Sequence, residues 1–188
     1  MSSPSGLQIA GVTGHRDLDD ADRPDLERAV HACLAEIESH QPTQKHCLVS
    51  GLAAGSDQLV AQCALQRGWT LHAVLAATVD SFERTMPTID AQRLRNELLP
   101  RCEEVTIVSG YVEVASMIVD CAESLIALWD GAPGRGAGGT ADTVASFLHG
   151  ATKSSAKQES TRLVYWVRTR RRGEPFLLPG PAWKQMTH

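Results

Sequence analysis

The chain has no CxxC pair, no zinc-ligand spacing, no long apolar run and no surplus of basic charge, and each absence removes a class of function. Five cysteines, Cys33, Cys47, Cys63, Cys102 and Cys121, are scattered among seven equally dispersed histidines. No ligand set can be assembled from them, so no metal is expected. Several of these thiols fall on apolar faces, where cysteine acts as a small core residue in a reducing compartment. No apolar run approaches the roughly 18 residues that cross a bilayer, and residues 1–6 carry neither the basic nor the apolar part of a signal sequence. A soluble, cytoplasmic protein without a membrane partner is expected. With 18 Lys and Arg against 22 Asp and Glu the net charge is -4, so the basic footprint of a nucleic-acid binder is missing and nucleic acid is not an expected partner. The one basic run, Arg168, Arg170, Arg171 and Arg172, reads as a solvated strand end or tail.

What the chain does contain is an alternation of strand and helix signals. At 188 residues it fits one domain, with a core over about 7–167 and a C-terminal extension over 168–188. Strands are predicted at 7–13, 45–50, 70–76, 104–109, 124–129 and 162–167. Between them, Leu26, Ala29, Val30, Cys33, Leu34 and Ile37 recur at helical spacing. Further helices are predicted at 56–67, packed through Leu59, Val60 and Cys63, at 89–99, stopped by Pro100, and at 140–149. Another spans 112–121 with Val114, Ala115, Ile118 and Val119 inward. Residues 151–161 read as an exposed loop. Beyond Arg172, Pro175, Pro179 and Pro181 imply an extended tail that packs through Phe176, Leu177, Leu178 and Trp183. The alternation implies a doubly wound, mainly parallel α/β sheet of about six or seven strands with helices on both faces, a Rossmann-like fold.

Such sheets bind ligands beyond the carboxyl ends of their strands, which selects three turns. The first is Thr13-Gly14-His15-Arg16, where Arg16 can hold a phosphate and His15 can donate to a ribose or phosphate oxygen. Alternatively, both pair with the acidic run Asp17, Asp19 and Asp20. The second runs from Ser50 and Gly51 through Gly55, Ser56 and Asp57. Here Asp57 either accepts from a ribose or stabilises a helix N-terminus. The third follows a strand ending in Trp129 and runs through Asp130, Gly131, Gly134, Gly136, Gly138 and Gly139 to Thr140, an apolar strand feeding a glycine-rich turn that opens a helix. The second and third turns echo each other in placing a hydroxyl residue, Ser56 or Thr140, at the expected helix cap and an acid in the first turn. Gly11 and Gly14 alone do not make the GxGxxG of an ordinary dehydrogenase. Between the third and fourth strands, Glu83, Arg84, Arg93 and Arg95 read as a solvated helix face or as a segment closing over a ligand.

Taken together, Gly-Val-Thr-Gly-His-Arg at 11–16, Ser-Gly-Leu-Ala-Ala-Gly-Ser-Asp at 50–57 and Trp-Asp-Gly through Gly-Gly-Thr at 129–140 resemble the SLOG superfamily, which groups DprA proteins with the LOG nucleotide hydrolases. The resemblance covers roughly 7–167 and is nearest to standalone or sensor-type SLOG proteins. It implies a Rossmann-like sheet that binds a nucleotide or related ribose phosphate through Thr13, Gly14, His15, Arg16, Ser50, Gly51, Gly55, Ser56, Asp57, Asp130, Gly131, Gly136, Gly138, Gly139 and Thr140. No further cofactor is implied, and a homodimer or higher homo-oligomer is. In the LOG signature PGGxGTxxE, Pro133-Gly134 and Gly139-Thr140 are recognisable, but the glutamate position is occupied by Thr143. Asp142 lies one residue earlier, and a helix turns roughly 100° per residue.

Three functions follow as alternatives: a sensor-like domain that binds a nucleotide, ADP-ribose-like or NAD-like ligand; a hydrolase of an N-glycosidic bond; or an interaction subunit with a vestigial pocket. For the hydrolase, Asp57, Asp130 and Asp142 are the candidate carboxylates.

Overall fold

The computed structural model describes residues 6–134, 138–150, 162–175 and 183–186. Strand β5 (Ser124–Trp129) shows how they are layered, because its successive side chains point to opposite faces. Leu125 and Ala127 enter one core while Ile126 and Leu128 enter the other. Both faces are therefore covered, as a parallel sheet requires.

Six strands join β5 in a single sheet: β1 (Leu7–Gly14), β2 (Lys45–Ser50), β3 (Thr70–Leu75), β4 (Cys102–Ile107), β6 (Leu163–Arg168) and β7 (Trp183–Met186). Their order is β4-β3-β2-β1-β5-β6-β7, parallel except for β7, which runs antiparallel to β6. This is the expected doubly wound Rossmann-like sheet. The chain builds outward from β1 through β4, then returns to place β5 on the other side of β1, so the order reverses between β1 and β5.

Helix α1 (Arg23–His40) turns Leu26, Val30, Cys33, Leu34 and Ile37 to one core, and α2 (Ser56–Gln66) adds Leu59, Val60 and Cys63 there. On the opposite face α5 (Tyr111–Cys121) buries Val114, Ile118 and Val119, and α6 (Thr140–His149) buries Val144 and Phe147. Two short helices, α3 (Val79–Glu83) and α4 (Thr88–Arg93), occupy the connection from β3 to β4. The helix predicted at 89–99 is not regular. After α4 it widens into one π turn, Leu94–Leu98, and tightens into a 3₁₀ turn, Leu99–Arg101, which contains Pro100. Leu94 and Leu98 are both fully buried in this arrangement. The fourth strand begins and ends two residues earlier than predicted, where it pairs with β3 across an irregular register at Leu71 and His72.

Strand β7 has no counterpart among the six predicted strands, because its four residues follow a proline-rich stretch and pair only with distant β6. The expected contacts of Phe176, Leu177, Leu178 and the Trp183 side chain, and the expected loop at 151–161, lie outside the described residues. All five thiols are free, and burial pushes that of Cys63 up to about 12. Among the described residues no helix is long and apolar enough to cross a membrane.

Candidate functional site

Strands β1 and β5 end side by side and the turns after them diverge, which opens a crevice of the kind where α/β sheets place ligands. A cavity of about 460 Å³ lies there. It is lined by Thr13, Gly14, His15 and Arg16 of the first turn, by Gly51, Ala53 and Asp57 of the second, and by Asp130, Gly138, Gly139 and Thr140 of the third. The three turns picked out in the sequence therefore meet at one place.

His15 holds the first turn to the third. Its backbone N–H donates to the Leu128 carbonyl at 3.0 Å, and its Nε2 accepts the Asp130 N–H at 3.1 Å. The lone pair is thus on Nε2 and the ring is neutral. Burial first, and Arg171 second, hold its pKa below the ordinary histidine value, against the opposing pull of Asp130. The Asp130 carboxylate is itself engaged, Oδ1 accepting the Ala132 N–H at 2.8 Å and Oδ2 lying 3.3 Å from His15 Nε2.

Arg16 is exposed, stacked 4.3 Å over the Tyr111 ring, with one long contact of 3.5 Å from its NH1 to the Tyr111 hydroxyl. No described carboxylate forms an ion pair with it. The acidic run beside it is taken by arginines from the far end of the chain. Arg171 pairs with Asp17 at 3.0 Å, Arg170 with Asp19 at 3.1 Å and Asp22 at 2.6 Å, and Arg172 with Asp20 at 3.1 Å. Hence Arg170 and Arg171 are not the solvated tail the sequence implied, Arg170 being only 7% exposed, whereas Arg168 at the strand end and Arg172 are exposed. The correction has a simple cause: the complementary acids lie about 150 positions earlier in the chain.

In the second turn the helix cap is Gly55 at φ 79°, and Ser56 is the first helical residue. Ser56 does not cap α2. Its N–H and its hydroxyl both donate to the His15 carbonyl, at 3.0 and 2.7 Å. Leu52 sits at φ 49°, a position strained for a non-glycine residue. It is held by its N–H donating to Ser50 Oγ at 3.0 Å and by Gln58 Nε2 donating to its carbonyl at 3.3 Å. Ser50, Gly55 and Ser56 build the turn and do not line the cavity. Asp57 does line it, with Oδ2 accepting the Ala53 N–H at 3.2 Å. Burial pushes its pKa up to about 7 despite that bond and the nearby Arg16 charge.

The third turn ends in Gly138 at φ 76°, where a Cβ would come within 3.1 Å of the Tyr111 carbonyl oxygen. The cap of α6 is Gly139, with no side-chain hydrogen bond, and Thr140 is again the first helical residue. Thr143 instead donates its hydroxyl back to the Gly139 carbonyl at 3.0 Å. The first amides of α6 thus stand at the cavity wall, at the positive end of the helix dipole, without a side-chain acceptor among the described residues. Thr140→Ala will therefore shift stability by less than about 0.5 kcal/mol in urea titration, where removal of a true cap costs about 1 kcal/mol.

Gly131 packs against Trp166 and lies outside the cavity lining, and Gly136 lies outside the described residues. Asp142 is exposed on α6 and does not line the cavity; a Cβ on Gly134 would come within 3.1 Å of its Oδ1. Glu83, Arg84, Arg93 and Arg95 do not reach the cavity either. Arg95 pairs with Asp80 and Glu83 at 2.6 and 2.7 Å, and Arg93 with Asp90 at 2.6 Å. From that segment it is Phe82 that lines the wall. Sequence reading also missed Tyr111, Trp129 and Arg171 at this site, and only Arg171 left a signal, in the matching of the basic run to the acidic one.

The strand order and the cavity at its reversal define a Rossmann-like α/β protein. No family model matches the chain, and no curated protein sequence matches it significantly. Among solved structures it is similar to DNA processing protein A (DprA) from Streptococcus pneumoniae, with a TM-score of 0.52 and 19% identity over 76% of this chain and 47% of that one. It is also similar to TM1055, a structural-genomics target, at a TM-score of 0.49 and 12% identity over 77% of this chain and 70% of that one. The likeness to DprA carries the fold alone, and this chain spans about half of DprA's length.

Proposed function

We propose that this protein binds a nucleotide or a nucleotide-derived ribose phosphate in the cavity between β1 and β5. The observation that carries the reading is an unmatched set of anion-binding groups on one cavity: the uncapped N-terminus of α6, and the Arg16 guanidinium that no described carboxylate neutralises. Asp57 stands on the same wall as an acceptor for sugar hydroxyls, and Tyr111 and Phe82 offer aromatic surface to a base. Calorimetric titration with ribose 5-phosphate and a panel of nucleoside mono- and diphosphates tests this. Binding is expected in the wild type, with Arg16→Met weakening it by about tenfold or more. A folded sample that responds to no ribose phosphate overturns the reading.

Cleavage of an N-glycosidic bond is a second reading, supported by the raised pKa of Asp57. A carboxyl that titrates near neutrality is suited to exchange a proton with a leaving base or an attacking water. Asp130, whose Oδ1 is held by the Ala132 N–H, and Asp142, outside the cavity lining, are poorer candidates. Chromatographic release of free base from AMP or NAD, lost in Asp57→Asn, supports this reading; absence of release from either discards it.

A further inference from the structure

We infer that Arg171 is a second anion-binding residue of this cavity, so that the site prefers ligands carrying two phosphate groups over those carrying one. The inference rests on the proposed nucleotide reading and deepens it.

Arg171 reaches the cavity from the segment after β6, and that segment is fastened on both sides of it. Arg170 forks onto Asp22, and the Arg172 N–H donates to the Asp17 carbonyl at 2.7 Å while its guanidinium donates to Asp20 and to the Leu18 carbonyl. The Arg171 backbone N–H donates to Glu174. The Arg171 side chain is thus delivered to the cavity by a backbone held in place on its own account. Among the described residues only its NH1 makes a hydrogen bond. A guanidinium has five N–H donors. Through NH1 the side chain bonds Asp17 at 3.0 Å, but its Nε is buried without a hydrogen-bond partner, 3.8 Å from Asp130 Oδ2.

The two cavity arginines have different neighbours. Arg16 lies over Tyr111 in the neighbourhood of Asp57, whereas Arg171 lies beside Asp130 and acts on His15. A single phosphate at the start of α6 uses Arg16. A second phosphate gives the remaining Arg171 donors the acceptor they lack, and a guanidinium fork suits phosphate oxygens better than an ammonium would. Arg171 acts here by contact with the ligand and takes no part in any bond-breaking step.

The test compares matched pairs, AMP with ADP and inorganic phosphate with pyrophosphate, by calorimetry on the full chain. Wild type should bind the diphosphate member about tenfold more tightly than its partner. Arg171→Met should remove that preference while keeping monophosphate binding, whereas Arg16→Met should weaken both members. Arg172→Met, which loosens the same segment without touching the cavity, should retain the preference. A preference that survives in Arg171→Met overturns the inference and leaves the nucleotide reading intact. Equal loss in Arg172→Met also overturns it, because Arg171 would then act only through the fold of its segment. If wild type binds none of these ligands, both readings fall together.

Discussion

Gly55→Ala is expected to destabilise the protein by about 3–5 kcal/mol, which for a chain of this size lowers Tm by about 10 °C. Two effects add at this position. The backbone sits at φ 79°, a conformation that an L side chain rarely adopts. A Cβ built there would also lie 2.4 Å from the Arg16 carbonyl oxygen and 2.6 Å from that of His15, both backbone atoms that cannot swing aside. Relief requires the first turn to move away from the start of α2. That movement breaks the two hydrogen bonds from Ser56 to the His15 carbonyl, and it draws His15 off the Asp130 amide. Differential scanning calorimetry reads the effect directly. A melting temperature within about 2 °C of wild type would show that the two turns are not locked together in this way. A chain that folds in urea-free buffer but loses ligand binding would place the damage at the cavity.

Asp57→Asn should do the opposite and stabilise the protein above neutral pH. The folded-state pKa is raised from 3.8 to about 7 by burial, so between these values the folded state holds a proton that the unfolded chain has released. Wild-type stability therefore falls as pH rises from about 4 to about 7 and is level beyond. The asparagine variant does not titrate, and its side-chain oxygen still accepts the Ala53 N–H. Its advantage should be small near pH 4 and reach about 4 kcal/mol at pH 8. Urea unfolding of both proteins at these two pH values measures it. Equal stability at pH 8 would mean that the carboxylate is ionised without strain. A carboxyl kept at such a cost in the wild type is consistent with selection for binding or chemistry over stability.

The contrast between these two residues shows what local sequence can convey. Strands β2 and β5 and helix α6 were legible to the residue, because burial on both faces and helical periodicity leave short-range patterns. The three turns were legible as a group because each follows a strand and is rich in small residues. Helix caps misled, since a serine or threonine after glycine has the composition of a cap. In both α2 and α6 the cap is the glycine itself, and the hydroxyl residue is one step inside the helix. Charge pairing misled more. Asp17, Asp19 and Asp20 are neighbours of Arg16 in sequence, yet their partners come from residues 170–172, and nothing local distinguishes those alternatives. Tyr111 was invisible for the same reason, as its value to the site depends on Arg16 lying over it from 95 positions away.

The clasp between the acidic run and the late arginines also sets an order of assembly. Its bonds join residues 148 to 154 positions apart, so they close after the local hairpins and crossovers have formed. The clasp therefore ties the segment after β6 to the turn after β1 across most of the described chain, so that the two ends of the sequence hold one wall of the cavity in common.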